Sequence, residues 1–138
     1  MPIKMRILYD SSKGKIKQIA DKIKTTYELS FNSVDVIPPA YSCDKERIVI
    51  LAVSGKSVSS SLSRFLGELT KARAQNTALI LDGPEENANA IKEILTKAGT
   101  HVIPDVMYVK CGLFGGLKDE EWNQIKDWID TKVIPNLA

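Results

Sequence analysis

Apolar positions along this chain alternate between two spacings. Short apolar runs at Met5 to Tyr9, roughly Ser33 to Ile37, Arg47 to Val53, Thr77 to Leu81 and within His101 to Val109 read as strands. Between them the apolar residues recur every three or four positions. Ile16, Ile19, Ala20, Ile23 and Tyr27 make one helical stripe, and Val58, Leu62, Phe65, Leu66, Leu69 and Ala72 make a second. Ala88, Ile91, Ile94, Leu95 and Ala98 make a third, which stops at Gly99, a favourable residue just past a helix end. A last helix begins near Asp119 as N-cap, buries Trp122, Ile125, Ile129 and Val133, and ends at Pro135; Trp128 falls off that stripe and is expected to be half exposed. Strict alternation of strand and helix predicts a parallel sheet covered on both faces. The unbroken run Ile48, Val49, Ile50, Leu51, Ala52, Val53 marks a central strand. Pro104 cannot donate to a ladder and puts the fifth strand at an edge. The segment Pro38 to Glu46 is short for a parallel crossover, with room for barely a turn of helix.

The first strand runs into Asp10-Ser11-Ser12-Lys13-Gly14-Lys15, and the first helix opens directly behind it. Unsatisfied N–H groups and the positive end of the helix dipole favour an anion at such a place, and the Ser11 and Ser12 hydroxyls add donors. Lys13, Lys15 and Lys17 bring positive charge to the helix end that ordinarily prefers Asp or Glu. A bound anion would offset that arrangement. The plainer alternative is a solvated charge run at an ordinary helix start.

Composition narrows the classes. A chain of 138 residues, 43% of them hydrophobic, is expected to form one domain over 1–138 with a core large enough to need no metal or disulfide. Cys43 and Cys111 lie far apart without CxxC spacing and His101 is the only histidine, so neither a zinc site nor a redox dithiol is suggested. No secretory h-region and no run of membrane-span length occur, which leads to the expectation of a soluble, cytoplasmic protein with no membrane partner. A net charge of +2, with 19 Lys and Arg against 17 acidic residues, gives no case for nucleic acid.

The chain resembles a short flavodoxin over essentially its whole length. Tyr9-Asp10-Ser11-Ser12-Lys13-Gly14-Lys15-Ile16 lines up with that family's phosphate loop, Ser/Thr-x-Thr-Gly-x-Thr: Ser11 matches the first position and Gly14 the glycine. Lys13 and Ile16 stand where the family has threonines, so two hydroxyl donors are missing. The resemblance implies a three-layer α/β, flavodoxin-like doubly wound sheet of five parallel strands in the order 2-1-3-4-5. It also implies FMN, with its phosphate at Ser11, Ser12, Lys13, Gly14, Lys15 and Ile16. The flavin ring would lie between Ser54-Gly55-Lys56-Ser57-Val58-Ser59 after strand three and Asp82-Gly83-Pro84-Glu85-Glu86-Asn87 after strand four. Flavodoxins commonly stack an aromatic on the flavin from these loops, and neither loop here contains one. Ser54, Gly55, Lys56, Asp82 and Gly83 remain as backbone partners for the ring edge. The alternative is that both stretches only lead into helices, with Ser57 or Ser59 as caps and Glu85 and Glu86 complementing a dipole. Flavodoxins are typically acidic, and this slightly basic chain would meet a redox partner without that steering.

Other occupants of this architecture fit less well. A phosphoryl-accepting receiver would have Asp10 and Lys110 in place but lacks a carboxylate at the end of strand three, which reads Val53-Ser54. A sugar-phosphotransferase subunit would need a cysteine before residue 43, and Gly55-Lys56-Ser57 lacks the first glycine of a P-loop. His101 begins strand five, at the end of the sheet opposite the ligand loops, and is expected to be structural. Cys111-Gly112-Leu113-Phe114-Gly115-Gly116-Leu117 reads as a loop folding back over the core, or as a docking segment. Two functions remain. One is an FMN-binding redox protein, acting as electron carrier or flavin-dependent reductase subunit with a redox partner. The other is a flavin-free module that binds a different phosphate ligand or a protein.

Overall fold

The computed structural model describes residues 5–9, 14–27, 31–37, 43, 45–54, 58–111 and 116–138, with residues 31–36 described by backbone alone. Strands β1 (Met5–Tyr9), β2 (Phe31–Val36), β3 (Ile48–Ser54) and β4 (Asn76–Asp82) lie in the order β2-β1-β3-β4, all parallel, and two short strands, β5 (His101–Val102) and β6 (Met107–Tyr108), both pair with β4. Helices are α1 (Gly14–Thr26), α2 (Ser60–Leu66), α3 (Glu85–Ala98) and α4 (Asp119–Trp128). The order agrees with the expected doubly wound sheet.

The continuous apolar run of β3 is divided by the two-residue period of a strand. Ile48, Ile50 and Ala52 face one side with Met5, Ile7, Ala78 and Ile80, where α1 contributes Ile16, Ile19 and Ile23 and α4 contributes Trp122, Ile125 and Trp128. Val49, Leu51 and Val53 face the other with Leu8, Leu79 and Leu81, under Leu66 of α2 and Ala88, Ile91 and Leu95 of α3. Both faces are therefore dry, and each fully buried aliphatic side chain contributes about 1.5–3 kcal/mol. Gly99 closes α3 at φ 109°, in the left-handed region, and its N–H bonds to Leu95 and Thr96 carbonyls.

Four sequence expectations need correction. The fifth strand is two pieces. Four residues, Ile103 to Val106, stand opposite two, Ala78 and Leu79, because β5 pairs with Asn76 and Thr77 while β6 pairs with Ile80 and Leu81. This excursion accommodates Pro104 at the edge, and it is pinned from both faces: Lys92 Nζ donates to the Pro104 carbonyl at 3.0 Å, and Trp128 Nε1 donates to the Asp105 carbonyl at 3.1 Å. Trp128 is accordingly buried, at 6% exposure, and not half exposed. It follows Ile125 by three positions and shares its face, and the backbone then widens into a π-helical turn, Ile129–Val133, before a 3-10 turn, Ile134–Asn136, that contains Pro135. Lys118, not Asp119, is the N-cap of α4; Asp119, Glu120 and Glu121 fill the first turn, where acidic groups complement the dipole. The second helix is shorter than its stripe. It is capped by Ser59, whose Oγ accepts the Leu62 N–H at 3.1 Å, and it stops at Gly67, so that Leu69 is buried from a turn and Ala72 is exposed.

The crossover from β2 to β3 is described only in part: Cys43 is buried against the α2 and α3 side, while Pro38 to Ser42 and Asp44 lie outside the described residues. His101 is exposed at the start of β5, at the end of the sheet away from the loops considered next.

Candidate functional site

The carboxyl ends of β1, β3, β4 and β6 come together at one edge, the end at which open α/β sheets place their ligands. At β1 the chain leaves Tyr9 and re-enters description at Gly14; Ser11, Ser12 and Lys13 lie outside the described residues, as do Gly55 and Lys56 after β3 and Gly112 to Gly115 after β6. Gly14 is exposed, has no described residue other than its near neighbours in the chain within 4 Å of where a Cβ would stand, and begins a helix with no acidic residue in its first turn.

Two other residues of the expected phosphate turn are committed elsewhere by their side chains. Ile16 is fully buried against the sheet, so only its backbone can face a ligand. Lys15 reaches across to α4. Its ammonium pairs with the Glu121 carboxylate and donates to the Lys110 carbonyl at 2.7 Å, and its side chain is 10% exposed. The bond from Lys15 holds the Glu121 carboxyl below its ordinary value, against the opposing effect of burial. One lysine thus ties the first turn of α1 to α4 and to the segment leaving β6. A nearby contact does similar work: Gln18 Oε1 accepts the Leu117 N–H at 2.8 Å, with Lys22 Nζ 5.9 Å from the Trp122 ring centre.

The ends of β3 and β4 are joined in register. Ser54 stands opposite Asp82, and Ser54 Oγ donates to Asp82 Oδ2 at 2.8 Å. Beyond Asp82 the chain passes through Gly83 and Pro84 into α3, where Glu85 and Glu86 occupy the first turn. Between this loop and β6 lies a cleft of about 520 Å³, bordered by Asp82, Gly83 and Pro84 on one side, Tyr108 and Lys110 on the other, and Glu121 from α4. Its size falls in the range of small-molecule sites.

Tyr108, on β6, lies outside the loops after β3 and β4 in which the sequence leads one to expect an aromatic. It is 46% exposed. Burial, and then the charge of Glu85, push its phenol above the ordinary value. The signal was present in the alternation after Pro104: Met107 packs on the α1 and α4 core, so the next residue on a strand must face the other way.

No protein-family model matches the chain, and no curated protein matches it. Solved structures do. A flavodoxin from Streptococcus pneumonia TIGR4 superposes with a TM-score of 0.69 at 12% identity, covering 97% of this chain and 99% of its own. Oxidised flavodoxin 1 from Bacillus cereus gives 0.70 at 15% identity, covering 98% and 99%. Rubredoxin oxygen:oxidoreductase from Desulfovibrio gigas gives 0.68 at 14% identity over 96% of this chain but 36% of that longer one. The chain has the flavodoxin-like fold over essentially its whole length. Among the described residues no helix is long and apolar enough to cross a membrane.

Proposed function

We propose that this chain is an FMN-binding redox protein that exchanges electrons with a protein partner in the cytoplasm. The observation that carries the reading is a flavodoxin-like sheet whose first strand opens into an acid-free helix start at the ligand edge. Phosphate is held by the backbone N–H groups around Gly14 together with Ser11, Ser12 and Lys13, as favoured by the dipole and the donors at a helix N-terminus. Ser54, Gly55, Lys56, Asp82 and Gly83 flank the ring. The residues present fit the group: among the described residues nothing crowds Gly14, and a 520 Å³ cleft adjoins Asp82 and Gly83. When bound, FMN supplies the electron-accepting ring, and the protein sets its position and polarity.

Lys15 has a structural part within the fold. It braces α1 against α4, and its charge is shared with Glu121. That commitment, with Ile16 buried, favours the second reading, a flavin-free module for another phosphate ligand. A visible spectrum of the purified protein followed by fluorescence titration with FMN separates the two. Flavin bands or saturable quenching are expected; protein that leaves FMN fluorescence unchanged while binding another phosphate compound would overturn the flavin reading and leave the fold untouched.

A further inference from the structure

Resting on that reading, we propose that Tyr108 is the aromatic platform for the ligand's planar ring, which lies in the cleft between the β4 loop and β6 and not only between the loops after β3 and β4. Tyr108 combines three properties of a recognition residue. It is a large ring left 46% exposed. It stands on a strand and not on a loop: β6 pairs with Ile80 and Leu81, and the Val109 N–H bonds to the Leu81 carbonyl at 2.9 Å, so the ring is presented by a fixed backbone. It also borders the same cleft as Gly83 and Pro84, which offer an apolar surface without a long side chain. Tyr supplies broad contact area at little cost in side-chain freedom.

The rim decides the chemistry of the ring. Asp82 lies at one border of the cleft, fixed by Ser54 Oγ, and Glu85 lies close enough to Tyr108 to affect its phenol. These carboxylates accept hydrogen bonds and Lys110 on the opposite border donates them, so the site suits a flat heteroaromatic ring carrying both N–H donors and carbonyl acceptors. Glu121 is the exception, since Lys15 offsets its charge and closes the side toward α1. The distance is also suitable. From β1 to β4 is two strand spacings, about 10 Å. A phosphorylated linker of a few carbons spans that gap from the start of α1 at Gly14.

The test uses two probes, FMN and lumiflavin, which keeps the ring and lacks the phosphate chain, each titrated by flavin fluorescence. The wild-type protein should quench both and bind FMN more tightly. Tyr108→Ala should weaken both about threefold to tenfold, the size of an aromatic pair, and should lose most of the quenching; Tyr108→Phe should stay within about twofold of wild type on the same basis. Gly14→Asp should weaken FMN and leave lumiflavin unchanged. Unchanged affinity and quenching in Tyr108→Ala would overturn the platform and leave the flavin reading standing. Lumiflavin bound as tightly as FMN, and lost in Tyr108→Ala, would support the platform and overturn the phosphate turn. Wild-type protein that binds neither probe would overturn both.

Discussion

β4 has two neighbours, and they are built differently. On one side β3 runs seven residues, Ile48–Ser54, in an unbroken register from Val49 opposite Thr77 to Ser54 opposite Asp82. On the other side β5 and β6 contribute two residues each, separated by an excursion with Pro104 in it. The inner pairing is held by aliphatic burial on both faces. The outer one is shorter: Ile103 and Val109 are buried on the α1 and α4 side, Val102 and Val106 pack on the other, and Lys92 and Trp128 each donate to a carbonyl of the excursion. Because β6 pairs only with β4 among the described residues, it can expose a tyrosine where Ile48 to Val53 of β3 are buried.

The largest change expected is on the inner side. Ile50→Ala removes a fully buried side chain from the α1 and α4 core and should cost about 2–5 kcal/mol, read as a fall in the urea midpoint. A cost below about 1 kcal/mol would mean that β3 is not the packed centre. On the outer side Trp128→Phe keeps most of the apolar bulk and removes the donor to the Asp105 carbonyl, for about 1–2 kcal/mol. Amide exchange should quicken at Val109 in that variant and stay unchanged at Leu51; equal quickening at both would erase the contrast between the two neighbours.

A smaller effect belongs to the brace between α1 and α4. Glu121→Gln should cost about 0.5–1 kcal/mol near neutral pH, the scale of a partly exposed pair. The folded-state pKa of Glu121 lies below its ordinary 4.5. Stability from the pair is therefore fully present above pH 4.5 and lost as pH falls through the lower folded value. Glu121→Gln should flatten that part of the stability profile below pH 4.5, and a variant curve parallel to wild type would remove the pair as its cause. Least affected should be Lys92→Ala, which deletes an exposed donor to the Pro104 carbonyl for a few tenths of a kcal/mol, roughly the surface level. A larger loss there than in Trp128→Phe would show that the α3 side, and not the α4 side, secures the excursion.

The same division governs what the sequence discloses. β3, β4, α1 and α3 are legible because each depends on a local period, and Gly99 ends α3 by a backbone property that belongs to one residue. The length of α2 is not legible, since Leu69 keeps the helical spacing although Gly67 has already ended the helix. Trp128 is illegible for another reason: the carbonyl that receives its N–H is 23 residues away. At the ligand edge the turn with Gly14 is found by pattern alone. The pairing of Lys15 with Glu121, 106 residues apart, is a property of the assembled helices on one face of the sheet and has no sequence signal. Tyr108 lies between these cases, visible once Pro104 is read as an interruption instead of only as an edge marker.

The burial of Trp128 gives the molecule an internal optical gauge. Its indole N–H is fastened to the excursion, and Trp122, buried too, lies under the Lys22 ammonium between α1 and α4. Both emitters therefore sit on one face of the sheet, and one of them is attached to the edge with the shortest strands. Ultraviolet emission will shift to the red when that edge opens, while circular dichroism waits for the inner strands and helices. The gap between the two transitions measures how far the border of the sheet loosens before the molecule as a whole comes apart.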